Sequence, residues 1–211
     1  MGQTLLPLSY GRELVPGGLR GVVTTKVWVV ELLLDLAGYL ADADLVDALV
    51  IEPAAGKGAF LVALVGRLIG SCARLGRPFS DCLRSLVAYE IDENSAEDAR
   101  KAVFEVLCGL GVGRKTAEEL ASGWIRAGDF LVEAPRLSRA DFVVGNPPYI
   151  RLEDIPEETA SHYRRAYPTM RGRADLYGAF FEAALRGLKD GGVCAYLVAD
   201  RWMFNQYNAE I

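Results

Sequence analysis

Residues 146–149 read Asn146-Pro147-Pro148-Tyr149, four consecutive side chains whose types suit one kind of chemistry. The asparagine offers an amide oxygen as acceptor, each proline offers a carbonyl with no N–H of its own, and the tyrosine offers a flat aromatic face. Together these groups suit a planar amino group conjugated into a ring. Two acceptors gripping its two hydrogens favour a pyramidal nitrogen with a directed lone pair, and the ring can stack on Tyr149. Taken alone, two prolines after a strand make an ordinary turn. The elements around them must decide.

The tetrapeptide follows Asp141-Phe142-Val143-Val144-Gly145, an aromatic and β-branched run that predicts a buried strand; the prolines forbid its continuation. The chain must therefore leave the strand tip as a stiff loop, and open α/β sheets place their ligands at the carboxyl ends of parallel strands. A second strand, Ala48-Leu49-Val50-Ile51, runs into Glu52-Pro53-Ala54-Ala55-Gly56-Lys57-Gly58-Ala59-Phe60 and a helix over 61–75. Small residues there let a ligand approach the backbone, and the N–H groups of the helix start face it. This turn has neither the third glycine of a dinucleotide fingerprint nor the Gly-Lys-Ser/Thr of a phosphate loop. A carboxylate at Glu52 repels a pyrophosphate and welcomes a cationic amino acid group, which favours S-adenosylmethionine over NAD or ATP.

A third strand, over 83–89, ends at Glu90-Ile91-Asp92, where an acid is placed to hold ribose hydroxyls; Asp92 is the better candidate for a plain helix-start acid. Helical patterns follow over 94–110 and 116–121, the second opening with the capping-box spacing Thr116-Ala117-Glu118-Glu119. Trp124-Ile125-Arg126-Ala127 predicts a short fourth strand ending at Gly128-Asp129-Phe130, a carboxylate and an aromatic face suited to an adenine ring. At the start of the chain, residues 1–20 have no clear period and read as an irregular arm. Gly21-Val22-Val23-Thr24-Thr25-Lys26 then leads into an apolar helix pattern through Val27, Val30, Leu33, Leu34 and Ala37. Thr24 is either an N-cap or a site residue.

With 211 residues, 51% hydrophobic and 24% charged, the chain is long enough for one α/β domain with a real core. A net charge of −5 argues against gripping nucleic acid by bulk electrostatics, since counterion release needs clustered Lys and Arg. Cys72, Cys82, Cys108 and Cys194 are scattered, and His162 is the single histidine, which argues against a metal site and for reduced thiols in the cytoplasm. No signal peptide is legible. The apolar run over 27–40 is too short to span a bilayer and is interrupted by Glu31 and Asp35.

The order of these stretches resembles the adenine-N6 DNA methyltransferases of restriction-modification systems, in their gamma arrangement, from Gly21 to about Trp202. The family's Gly-x-x-x-Thr-Pro segment matches Gly21-Val22-Val23-Thr24-Thr25, with threonine where proline is usual. Its glycine turn matches Glu52-Pro53-Ala54-Ala55-Gly56-Lys57-Gly58 except at one small residue, and Ala174-Asp175-Leu176-Tyr177 opens the expected helix before Gly191-Gly192-Val193 and Asp200-Arg201-Trp202. The resemblance implies a class I S-adenosylmethionine-dependent methyltransferase domain over 21–211, a doubly wound parallel α/β sheet of strand order 3-2-1-4-5. It implies that Thr24, Glu52, Ala54 and Gly56 surround the methionine half of the cofactor, that Glu90 binds the ribose, and that Ile91, Asp129 and Phe130 hold the adenine. Asn146 and the Pro147 carbonyl, in a loop stiffened by Pro148, would accept the N6 hydrogens of an adenine flipped out of double-stranded DNA, with Tyr149 stacked on it. Transfer in the family is direct, with positioning as the main device and neither metal nor covalent enzyme intermediate.

Family members continue past this point with a strand hairpin and a target-recognition domain. The expectation is therefore that DNA reading comes from a missing C-terminal domain or a partner subunit, and that an outer strand over 193–198 leaves a sheet edge open to dimerisation. A release-factor-type protein-glutamine methyltransferase shares Asn-Pro-Pro-Tyr, but Thr24, the Glu-Pro-Ala turn and the Asp-Leu-Tyr helix favour the DNA enzymes. Two more readings are a structured-RNA adenine methyltransferase and a cofactor-binding fragment inactive alone. Arg164, Arg165, Arg171 and Arg173, with no carboxylate between Thr159 and Ala174, predict a mobile loop reaching the phosphates beside the flipped base; the plainer reading is a solvated surface.

Overall fold

Short apolar runs form five strands, each paired in parallel with its neighbour. β1 (Val50–Glu52) lies between β2 (Leu86–Glu90) and β4 (Ala140–Gly145), with β3 (Ile125–Ala127) outside β2 and β5 (Leu188–Tyr196) outside β4. The structure is a computed structural model and describes residues 25–137, 139–171 and 174–198. The order 3-2-1-4-5 is the predicted one, and Ile51 sits in register between Val87 and Val143. Alternate residues of each strand enter different cores: Val50, Ala88 and Val144 one, Ile51, Tyr89 and Val143 the other. Burial on both faces is why these strands read as continuous apolar runs rather than alternating ones.

One face is covered by α1 (Val27–Ala37), α2 (Ala59–Arg74), α3 (Glu93–Gly109) and α4 (Arg114–Trp124); the other by α5 (Phe130–Glu133), α6 (Glu157–Ala166) and α7 (Leu176–Gly187). In α2 the buried positions Leu61, Leu64, Val65, Leu68 and Cys72 follow helical spacing, and burying each of the leucines is worth about 2 kcal/mol over leaving it in water. Arg67 on the same helix ties down α1: it pairs with Glu31, with Asp35 at 2.8 Å, and donates to the Tyr39 carbonyl at 2.9 Å.

Four boundaries differ from expectation, and the largest shift is in β5, which starts at Leu188 and runs through Gly191 and Gly192, five residues before the expected outer strand over 193–198. α4 starts at Arg114 behind Gly113, two residues before the capping-box threonine, with no side-chain cap. Trp124 closes that helix instead of opening β3, because its buried indole N–H finds an acceptor in the Cys82 carbonyl at 3.0 Å. That carbonyl belongs to a 3-10 turn, Phe79–Arg84, which delays the start of β2. Residues 1–20, Thr24, Arg173, Asp200 and Trp202 lie outside the described residues.

Among the described residues no strand pairs with the outer side of β5. On α1, Val30, Leu34 and Ala37 face the core, while Trp28, Leu32 and Leu36 form a solvent-facing stripe, Trp28 64% and Leu36 76% exposed. An open edge and an apolar stripe both favour contact with another chain. Light scattering at increasing concentration is expected to show dimers or larger species; a monodisperse monomer at the highest concentration refutes this.

Candidate active site

The carboxyl ends of three adjacent strands each deliver an acid: Glu52 ends β1, Glu90 ends β2, and Asp129 follows β3 after Gly128. The turn after β1 bends through positive φ at Gly56 (53°) and Gly58 (89°), backbone that side-chain-bearing residues rarely adopt. Glu90 holds this turn in place, accepting from the Gly56 N–H at 2.8 Å on one oxygen and from the Asp92 N–H at 2.9 Å on the other. Burial raises the Glu90 pKa, and these backbone donors pull it back. Asp92 takes the plain helix role, capping α3 through the Ser95 N–H at 2.9 Å.

Glu52 is 0% exposed, and among the described residues neither carboxylate oxygen has a hydrogen-bond partner. Desolvation pushes its pKa well above the usual carboxylate range; the nearby Ala54 N–H works against the shift and the charge of Glu90 adds to it. The side chain lies directly against Gly145, where an added Cβ would collide with Glu52 Oε1. Next in the chain, Asn146 donates its amide N–H to the Thr25 hydroxyl at 3.4 Å and leaves its Oδ1 buried with no partner. Since an unsatisfied buried polar group costs about 1–3 kcal/mol, two acceptors left so on adjacent strand tips are what a site waiting for donors looks like.

The tetrapeptide loop is anchored on both sides. Gly145 accepts from the Leu197 N–H at 2.9 Å, and Tyr149, 36% exposed, donates its hydroxyl to the Leu197 carbonyl at 3.0 Å. Downstream, Leu152 donates to the Ala174 carbonyl at 3.1 Å and Leu176 to the Ile150 carbonyl at 2.8 Å, joined by the antiparallel bridge of Arg151 with Asp175. Asn146 thus follows directly on the Gly145 that Glu52 touches, Pro147 is buried, Pro148 is partly exposed, and Tyr149 is tied to Leu197.

On the β3 side Asp129 Oδ1 caps α5 through the Leu131 N–H at 2.9 Å, and Oδ2 accepts the Tyr163 hydroxyl at 2.5 Å. Burial raises the Asp129 pKa, and Tyr163 and the turn N–H groups pull it back. Ile91 and Ala54 are partly exposed near these acids. Phe130 departs from expectation. It is 3% exposed, with Tyr89 at 5.9 Å and Phe180 at 5.5 Å between ring centroids, so the start of α5 turns its ring into the core instead of presenting an open face.

The arginine segment also departs from expectation. Residues 157–166 form α6, not a loop, because Glu157 and Glu158 in its first turn and Arg164 and Arg165 in its last complement the helix dipole, while Ala160 and Tyr163 bury its inner side. Arg164 pairs with Glu157 at 3.3 Å, a carboxylate just upstream of the interval that seemed free of acids. Arg164, Arg165 and Arg171 are exposed. Sequence reading missed Thr25, Gly145 and Tyr163; the only signal for the last was a Tyr163–Tyr167 pair at helical spacing in an otherwise polar stretch.

Residues 127–211 match the Eco57I restriction-modification methylase family. Over 91% of its length the chain is 40% identical to the Type II methyltransferase M.XhoI of Xanthomonas vasicola, and over 92% it is 40% identical to M.PaeR7I of Pseudomonas aeruginosa. The chain is related to the Type II restriction-modification methyltransferases. It spans 36% and 35% of those two relatives, about a third of their length. Its fold is that of the class I S-adenosylmethionine-dependent methyltransferases, similar to one from Listeria monocytogenes with a TM-score of 0.56 at 16% identity, covering 87% of this chain and 48% of that one.

Two outcomes are expected. Gly145→Ala should cost roughly 1–3 kcal/mol in chemical denaturation, from overpacking against Glu52; an unchanged midpoint would show that the strand tips are not in contact. For Glu52, a folded pKa above the unfolded one means that stability is greatest below the ordinary glutamate range and declines as pH rises toward the folded value. Glu52→Gln should therefore melt higher than the parent at pH 8, with the gap closing near pH 4. A gap independent of pH would contradict this.

Proposed function

We propose that this chain carries the cofactor site and target-base site of a DNA methyltransferase that moves a methyl group from S-adenosylmethionine to N6 of an adenine flipped out of double-stranded DNA. The observation that carries the reading is the pair of buried, unpartnered acceptors on adjacent strands, the Glu52 carboxylate and Asn146 Oδ1. One is suited to a cation and the other to an amine hydrogen, and the two groups that must meet in the reaction are an aminoacyl sulfonium and an amine. The restriction-modification relatives support DNA as the polymer.

The residues present fit the cofactor. Glu52 would receive its ammonium group, with Ala54, Gly56 and Thr24 around the methionine half; Glu90 would use its remaining lone pairs for ribose hydroxyls, and Ile91 and Asp129 would hold the adenine. Phe130, sunk in the core, would support that pocket from below. When bound, S-adenosylmethionine supplies a methyl group activated by positive sulfur. The chain does the positioning. Asn146 Oδ1 and the Pro147 carbonyl accept the two N6 hydrogens, which draws the nitrogen lone pair out of conjugation with the ring, while Tyr149 stacks on the base and Pro148 keeps the loop stiff.

Arg164, Arg165, Arg171 and Arg173 follow the tetrapeptide in the chain and would contact phosphates, fixing register without reading bases. Base reading belongs, on this proposal, to the part of the whole protein outside this chain or to a partner subunit, and the catalytic domain runs over 21–211 behind an arm of residues 1–20.

Titration calorimetry should show S-adenosylmethionine binding to the chain, weakened at least about tenfold by Glu90→Ala through its lost hydrogen bonds; no heat from folded protein would remove the cofactor reading. In the full-length protein, nucleoside analysis of methylated DNA should give N6-methyladenine, and methyl groups on cytosine or on protein would replace the target. There, Arg171→Ala with Arg173→Ala should weaken binding to all sequences alike and flatten the salt slope by about two units. An unchanged slope would return the segment to a solvated surface.

A further inference from the structure

Tyr163 lies on the inner side of α6, 1% exposed, between the Asn-Pro-Pro-Tyr loop and the Asp-Leu-Tyr helix and in none of the short motifs named above. Its hydroxyl donates to Asp129 Oδ2 at 2.5 Å while Oδ1 accepts the Leu131 N–H at 2.9 Å. An ionised carboxylate has about four lone-pair sites, so these two bonds, with the Val132 N–H also acting on the charge, leave room for a further donor. They also stop the carboxylate from turning, since rotation about its Cβ–Cγ bond would break both. Tyr167, four residues on, donates to the Leu131 carbonyl at 2.5 Å, so two hydroxyls clasp α6 to the turn that carries the acid.

We propose that Tyr163 is a positioning residue for the cofactor's base: it fixes the Asp129 carboxylate as an acceptor aimed at an exocyclic amine, and so makes the site choose a 6-amino purine over a 6-oxo one. The inference rests on the reading of Asp129 as the acid on the adenine side. A charged carboxylate can only accept, whereas a neutral one donates from one oxygen and suits a carbonyl. Burial of Asp129 favours the neutral form, and the Tyr163 hydroxyl is the largest influence opposing it. Removing that hydroxyl frees the rotation of the acid and weakens its charge, and both changes erode selection for the amine.

The test uses S-adenosylhomocysteine and S-inosylhomocysteine, stable probes that differ at position 6 of the purine, titrated calorimetrically into the chain. The parent should prefer the adenosyl compound by about 100-fold or more, because a site built for an amine leaves its acid facing a carbonyl in the other ligand. Tyr163→Phe should lower that ratio by about tenfold, mainly through lost adenosyl affinity. Tyr167→Phe removes a hydroxyl from the same segment without touching Asp129 and should keep the ratio within about twofold of the parent. Asp129→Asn gives a route independent of the folding of the tyrosine variant: it should lower the ratio as far as Tyr163→Phe does, and adding Tyr163→Phe to it should change little further. A Tyr163→Phe ratio equal to the parent's, an equal loss in Tyr167→Phe, or an Asp129→Asn chain that still discriminates would each overturn the proposal. A parent that binds both probes alike, or neither, removes the reading of Asp129 and the proposal with it.

Discussion

The contact on which the site depends is the one between Glu52 and Gly145. β1 and β4 are neighbours in the sheet, and at their carboxyl ends the Glu52 side chain fills the space that any Cβ at position 145 would need. Placing a carboxylate there, fully buried and without a hydrogen bond, costs folding free energy that an apolar residue would not. On the proposed function, a cationic group brought to Glu52 would stand one residue from the Asn146 acceptor. Stability and function pull in opposite directions at this point.

Everything else at the strand tips works to hold that contact in register. The β5 end pins the loop through Leu197, which donates to Gly145 and accepts from Tyr149. On the other side the fork of Arg67, 14% exposed by side chain, fastens α1 to α2 through Glu31 and Asp35, and the start of α1 brings the Thr25 hydroxyl to the Asn146 amide. With its NH2 on that hydroxyl, the amide keeps its oxygen as the free acceptor among the described residues. Glu90 does the same for the glycine turn, clamping it through the Gly56 and Asp92 N–H groups.

Three acids cluster at one end of the sheet. Glu52, Glu90 and Asp129 gather at the carboxyl ends of β1 to β3, where burial raises the proton affinity of all three. The exposed arginines of α6 and Arg171 lie beyond β4 in the chain, after the tetrapeptide loop. The net charge of −5 thus coexists with exposed arginines after the loop, but α6, which carries two of them, packs through Tyr163 against the Asp129 turn, and Arg164 is paired with Glu157.

The sequence by itself determined the positions of the strand tips and the identity of the acids there, because buried strands, glycine turns and paired prolines are local patterns whose physics lies in neighbouring residues; the strand order came with the family resemblance, since which strands pair is not a local property. It also separated Asp92, a helix cap, from Glu90. Only the tertiary structure decided which atoms are left unsatisfied. That Glu52 meets Gly145, that Thr25 meets Asn146 across 121 positions, and that Tyr163 reaches Asp129 across 34 are outcomes of packing between elements distant in sequence. The same packing turned the Phe130 ring into the core, where Tyr89 and Phe180 surround it, and gave the arginine segment a helix whose inner side is apolar. A motif fixes which chemical groups stand at a strand tip; whether a group faces a ligand or a neighbour depends on what the rest of the fold leaves against it.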